Sequence, residues 1–332
     1  MQKRIIRINN ATITAASSIV GKHEAKGPLG ACFDECDTTD SFGADTWEKA
    51  ESSMQKKAFA RLMKKTGTVP CDFGAMFAGD LQNQCVGSSY GLMEFDVPYF
   101  GLYGACSTCA EGLMLAAMGV SAGHFDRAAA VTSSHFLAAE RQYRSPIEYG
   151  AQRSPTAQWT VTGAAAFCVE KGGEVAITEA IPGIVVEKGI NDASNMGAAM
   201  APAAADTLAS YFRESSLMPK DFDMILTGDL GYEGGSILCE LLLCEGLDIR
   251  EIYNDCGVLI YDRIRQDKHA GGSGCGCSAV VLAAYILERI REGKLKNVLF
   301  MGTGAMMSPS SIQQGQAIPA VGHMIRLERA GG

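Results

Sequence analysis

The chain nearly repeats itself, and this constrains its fold more than any other feature. Phe73–Leu81 reads FGAMFAGDL and Phe222–Leu230 reads FDMILTGDL, so both apolar runs close on Gly-Asp-Leu. A small-residue cysteine segment follows each, Gly104–Cys109 (GACSTC) and Gly272–Ser278 (GSGCGCS). Then come a helical stretch and an apolar run ending in small residues, Arg127–Ser134 (RAAAVTSS) and Asn297–Gly304 (NVLFMGTG). Self-similarity at a long offset marks a duplicated unit. Two such halves, expected at residues 1–185 and 186–332, set matched loops against each other at a shared junction.

Strand-length apolar runs alternate with helical patterns, which predicts an α/β fold with parallel βαβ units. The first half is expected to hold a helix at Thr46–Lys65, strands at Phe73–Gly79 and Val97–Tyr103, a buried helix at Ser107–Gly123 and a strand at Ala128–Thr132. Residues 133–160 read as irregular. Thr162–Glu170 and Glu174–Val185 read as an antiparallel pair around Gly172-Gly173. The second half is expected to hold helices at Ala203–Glu214 (after Pro202), Gly234–Cys244 and Ser278–Glu292. Its strands are expected at Met224–Gly228, Val298–Gly302 and Gly322–Glu328. The Gly-Asp-Leu strings lie 149 residues apart and Ala129 lies 170 from Leu299, which places an insertion near Asp248–Lys268.

With 47% apolar and 20% charged residues, the chain can bury a sizeable core. A net charge of −8 and no basic cluster argue against nucleic acid and against an anionic membrane surface. No segment approaches the ~20 apolar residues of a membrane helix, and no signal peptide is evident. The expectation is an intracellular protein with reduced thiols that meets membranes only through partners.

Cys106 stands between a strand and a helix start, where the helix dipole and free N–H groups lower a thiol pKa. That is the setting of a nucleophile, although small residues also simply fill such junctions. The Cys106-x-x-Cys109 and Cys275-x-Cys277 spacings argue against zinc. Gly271–Gly276 lacks the Lys-Ser/Thr of a phosphate loop. Asp80 and Asp229 each follow a strand end, as cleft anchors or calcium ligands, or as caps of the next helix, the reading favoured here. His135 is open to a role as donor, base or packed structural residue. Arg141 and Arg144 suit either a carboxylate ligand or surface ion pairs.

The GACST segment, its Ala/Met-rich helix and the preceding FAGDL resemble the thiolase superfamily, nearest its ketoacyl-ACP synthase III branch. The strings GPLG (Gly27–Gly30), AGDLQNQ (Ala78–Gln84), TSSH (Thr132–His135), AERQYRSPIEYG (139–150), MAPAAADT (Met200–Thr207), NDCG (Asn254–Gly257) and AGGSGCGCSAVV (Ala270–Val281) resemble the stage V sporulation AD family. These are thiolase-fold proteins of spore-forming bacteria, encoded with membrane proteins that move dipicolinic acid (pyridine-2,6-dicarboxylate). The resemblance implies a five-layered αβαβα fold and a homodimer paired through Val97–Tyr103. It also implies sporulation membrane proteins of the same operon as partners, and a place at the inner membrane of the forespore. Dipicolinic acid is the implied ligand, with no resident cofactor and calcium only as part of that ligand.

The departures from the enzyme pattern matter as much. A P-H-Q-A-N motif lines up with Thr227–Gly231 and a G-N-T-S-A-A-S motif with Gly272–Ser278, so Gly228 and Ser273 stand where His and Asn are expected. Losing one oxyanion donor typically costs ~2.7–4 kcal/mol. Cys106 is then expected as a vestigial nucleophile lining a ligand pocket. The helix starts at Ser107 and Cys277 would serve a carboxylate, Ser134, His135, Arg141 and Ser273 would donate, and Asp80 and Asp229 would accept calcium. The alternatives are an acyltransferase or condensing enzyme using Cys106, with a base such as His135, and a purely structural subunit.

Overall fold

The computed structural model describes residues 3–143 and 153–330. The first half supplies strands β1 (Thr12–Val20), β2 (Ala75–Gly79), β3 (Tyr99–Gly101), β4 (Arg127–Ser134) and β5 (Gly163–Glu170). The second supplies β6 (Val175–Ile181), β7 (Met224–Thr227), β8 (Tyr253–Asp255), β9 (Asn297–Ala305) and β10 (Ala320–Arg329). They run β8-β7-β9-β10-β6-β1-β5-β4-β2-β3. From the centre outward each half therefore has one order, β1-β5-β4-β2-β3 and β6-β10-β9-β7-β8. The two halves join where β1 pairs with β6, at Thr12↔Ala176 and Ile13↔Val175.

Buried helices fill the space between the sheets. Helix α2 (Thr108–Ser121) and the helix opening at Cys275–Val281 share one core with both sheets. Leu113, Ala117 and Val280 pack there with Ala130 and Phe167 of one sheet and Phe300 and Ile325 of the other. The alanines of β4 and β5 are fully or almost fully buried, as expected of strands covered on both faces. Outside, α1 (Trp47–Thr66) lays Met54, Phe59 and Leu62 on the first sheet, and the helix Met196–Ser215 lays Leu208, Tyr211 and Phe212 on the second. Each such side chain contributes roughly 1.5–3 kcal/mol on burial. Helix α1 is closed at both ends: the Thr46 hydroxyl accepts from Lys49 N–H, and Gly67 at φ 68° turns the chain out.

Several expectations change. Thr162–Glu170 and Glu174–Val185 do not pair: β5 and β6 flank β1, which lies between them. Thr12 plugs the Gly172-Gly173 turn, its hydroxyl donating to Glu170 O at 2.7 Å and accepting from Gly173 N at 2.8 Å. Because β6 joins the second sheet, the seam between the halves falls at this turn, not at residue 185. The segment 133–160, expected to be irregular, carries helix α3 (Phe136–Tyr143). The helix expected to follow Pro202 begins at Met196, capped by Asn195, and runs through the proline. The expected strand Val97–Tyr103 shrinks to the three residues of β3. The insertion occupies residues 256–274, between β8 and the second cysteine helix, where the first half has only 102–104.

Candidate functional site

Cys106 lies in the tight turn Ala105–Ser107 at the head of α2. Ala105 takes a left-handed φ of 51° there, and Ser107 ties the turn by donating to Gly104 O at 2.6 Å. The turn is pressed against β9: a Cβ at Gly304 would fall 2.3 Å from Gly104 O, so only glycine permits the approach. Across the junction stands Asp229, fully buried two residues past β7. Its carboxyl accepts from Gly274 N–H at 2.8 Å, from the Ser273 hydroxyl at 3.2 Å and from the Thr303 hydroxyl at 3.1 Å, and its charge bears on the Cys106 thiol.

This environment reverses the expectation for the thiol. Burial, then the Asp229 charge, push the Cys106 pKa well above its ordinary value. Burial likewise lifts Asp229 to about 7. The residue confronting the thiol from the second half is therefore Asp229, not Gly228 as the motif alignment implied. A Cβ at Gly228 would lie 3.0 Å from Ser278 Cβ, so any side chain there would press on the second cysteine helix.

Asp80 and Asp229 have diverged. Asp80 accepts from Gln82 N–H and from both the amide (2.7 Å) and hydroxyl (2.5 Å) of Ser88, and so caps the helix Val86–Leu92. Asp229 does not cap the helix that follows it. The amides of Leu230 and Gly231 at the head of the next helix go instead to Asp255 at 2.8 and 3.0 Å. The capping preference thus holds for one aspartate and fails for the other.

The remaining candidates divide. Ser273 joins Asp229, and Cys106 packs with Leu81, Ala139, Tyr143 and Cys275. Tyr143, on α3, fixes that wall by donating to Leu81 O at 2.6 Å. Ser134 is buried, donating to Val161 O and accepting from Gly276 N–H. Ser107 and Cys277 are buried, and burial raises the Cys277 pKa. His135 turns away from the thiol. Its Nε2 lies 2.8 Å from Asp40 O, Nδ1 accepts from Ala138 N–H, the ring stacks on Trp47, and burial lowers its pKa. Arg141 pairs with Glu48 at 3.3 Å on the surface; Arg144 lies outside the described residues.

The sequence reading missed Thr303, Gly274, Cys275, Tyr143 and Glu51. Glu51 is buried on α1, accepting from Ser133 Oγ and Gln82 Nε2, both at 2.8 Å. Burial and the neighbouring Asp80 raise its pKa to about 8. A signal was present: Glu51 and Gln55 are spaced i, i+4 on the same face as Met54, Ala58 and Leu62. Cys275 donates to Ser133 O at 2.9 Å and feels the charges of Glu51, Asp80 and Asp229. Three buried carboxyls therefore bear on Cys275, and one of them, Asp229, on Cys106 as well.

Residues 2–328 match the stage V sporulation protein AD (SpoVAD) family. The chain belongs to that family. Stage V sporulation protein AD of Bacillus subtilis (strain 168) is 41% identical over 321 residues, covering 96% of this chain and 95% of its own. Among solved structures, an OleA variant of Xanthomonas campestris crystallised with cerulenin superposes with a TM-score of 0.62 at 12% identity, covering 97% of this chain and 98% of that one. The ketoacyl-ACP synthase III (FabH) of Xanthomonas oryzae gives 0.60 at 12%, covering 97% and 100%. This stage V sporulation AD chain thus has a thiolase-like fold. Its described residues hold no helix long and apolar enough to cross a membrane.

Proposed function

We propose that the protein binds dipicolinic acid, alone or as its calcium chelate, without transforming it, for loading into the developing spore. The observation that carries the reading is the Asp229 carboxyl against Cys106, which holds the thiol protonated where a condensing enzyme needs a thiolate. Family membership supplies the sporulation context. The ligand is a small dianion, and buried charge must be matched. Near neutrality Asp229 is partly protonated and can donate to a ligand carboxylate; ionised, it can accept a calcium ion carried with the ligand. Tyr143 and Leu81 offer the ring a wall beside the sulfur. Membrane proteins of the same operon as partners, a forespore inner-membrane location and a homodimer paired through β3 belong to the same reading.

Calorimetric titration with dipicolinate, with and without calcium and beside an acyl-CoA acylation assay, tests it. Saturable binding that Cys106→Ala weakens is expected, with Asp229→Asn weakening only the calcium-dependent part and no acylation. Absence of binding by the wild-type protein removes the ligand. Acetyl-CoA turnover abolished by Cys106→Ala would establish the condensing enzyme instead.

A further inference from the structure

Away from Cys106, a second buried cluster gathers positive charge around one indole. Lys268 lies within the 256–274 insertion and is 2% exposed. Its ammonium sits 3.1 Å from the centroid of Trp159 and 5.2 Å from that of Tyr261. Among the described residues no carboxylate lies within ion-pair distance of it. The Arg153 guanidinium lies 4.7 Å from the same indole, and its side chain is 11% exposed. Its Nη2 meets Asp267, an exposed residue, but its Nη1 is buried with no partner. The His23 ring is 5.2 Å from Trp159. Phe136 stacks on the indole at 3.9 Å and nearly parallel.

The charges in this cluster oppose one another. Burial, then Arg153, pull the Lys268 pKa down to about 8, and burial and Lys268 lower that of His23. Contact with an aromatic face recovers only part of the cost of drying an ammonium. The nearest internal acid does not neutralise it. Glu24 accepts from Tyr261 O–H and from Thr162 N–H at 3.1 Å on Oε1, while Oε2 is buried with no partner. Burial raises Glu24 to about 7, so near neutrality much of it is a carboxylic acid whose Oε2–H is a donor. Among the described residues, the Lys268 ammonium, the Nη1 edge of the Arg153 guanidinium and the Glu24 acid proton thus lack acceptors around Trp159 and Tyr261, in a protein of net charge −8. One guanidinium edge and one ammonium match the two oxygens of a carboxylate. They fall short of the donors that a phosphate needs, and with both faces of the indole already covered, by Phe136 and by Lys268, the carboxylate is the group that the two cations address.

We infer that Lys268, Arg153 and Trp159 form a binding site for a small organic carboxylate, separate from the Cys106–Asp229 centre. The probe is isophthalate, which has no ring nitrogen to help hold calcium, titrated into the full-length protein in calcium-free buffer. Calorimetry and tryptophan fluorescence read the binding. Lys268→Met keeps the stem on the indole and removes the charge; Arg153→Gln is the second variant, and Lys220→Met on the exposed surface controls for loss of one charge. The expected result is saturable binding by the wild type and the control, weakened at least about 10-fold in both site variants. Without ligand, Lys268→Met should raise the melting temperature, because it removes an unmatched buried charge, and isophthalate should raise it only in the wild type. A purely structural lysine predicts the opposite sign. No binding by the wild type, affinity in Lys268→Met equal to wild type, or a melting temperature lowered by Lys268→Met would each overturn the site. Tighter binding of inorganic phosphate than of isophthalate would overturn the carboxylate assignment.

Discussion

At the scale of the residue, Cys106 shows two electrostatic effects of unequal size. A helix N-terminus favours a thiolate by about 0.3–1 kcal/mol. Burial, and after it the charge of the buried Asp229, oppose it. Together they outweigh the helix terminus, so the thiol stays protonated. The effect should itself depend on pH, because Asp229 titrates near 7. Below that pH Asp229 is neutral, and wild type and Asp229→Asn should be alkylated by iodoacetamide at Cys106 at similar rates. Above it the carboxylate disfavours the thiolate in the wild type alone, so the variant should react roughly 10-fold faster at pH 8.5. Peptide mapping of the alkylated cysteine gives the rate, and parallel pH profiles for the two proteins would rule out Asp229 as the controlling charge.

Among the elements, contacts of β9 hold the nucleophile-like turn in place. Gly304→Ala would drive a Cβ into Gly104 O, backbone against backbone. A cost of about 1–3 kcal/mol is expected in urea denaturation, with faster alkylation of Cys106 as the turn loosens; a neutral variant would show that the strand yields easily. Much of this was legible in the sequence. The 170-residue offset that pairs Ala129 with Leu299 also pairs Ser133 with Thr303, and these two hydroxyls bond the buried acids Glu51 and Asp229 respectively. What was hidden is non-local. The Gly172-Gly173 turn looks like a hairpin until a strand from the start of the chain enters between its arms. Helix α3 is short and lies in a polar stretch, so its periodicity carried little weight, yet it provides Tyr143 beside the thiol. Asp80 and Asp229 look alike because their strings match; the capping partner Asp255, 26 residues further on, is what frees the second.

For the whole molecule, the sheet leaves β3 with a single neighbour and an open flank. Around it Phe100 is 49% exposed and Tyr103 44%, with Tyr90 and Met93 more exposed still. An apolar edge of this kind invites pairing. A homodimer is expected in analytical ultracentrifugation at micromolar concentration, and Phe100→Asp should shift it to monomer by at least 10-fold in dissociation constant; a wild-type monomer would refute the assembly. The strand order also sets a timetable for synthesis. The strand Thr12–Val20 leaves the ribosome early but waits for Gly163–Glu170 to pair with it. In the other half the inner strand Ala320–Arg329, which bridges β9 and β6, emerges after every other strand. Until then Val175–Ile181 and Asn297–Ala305 each keep a bare flank, so the nascent chain carries half a core that cannot close. Chaperone demand and aggregation risk should therefore persist until Ala320–Arg329 has emerged and paired with both neighbours.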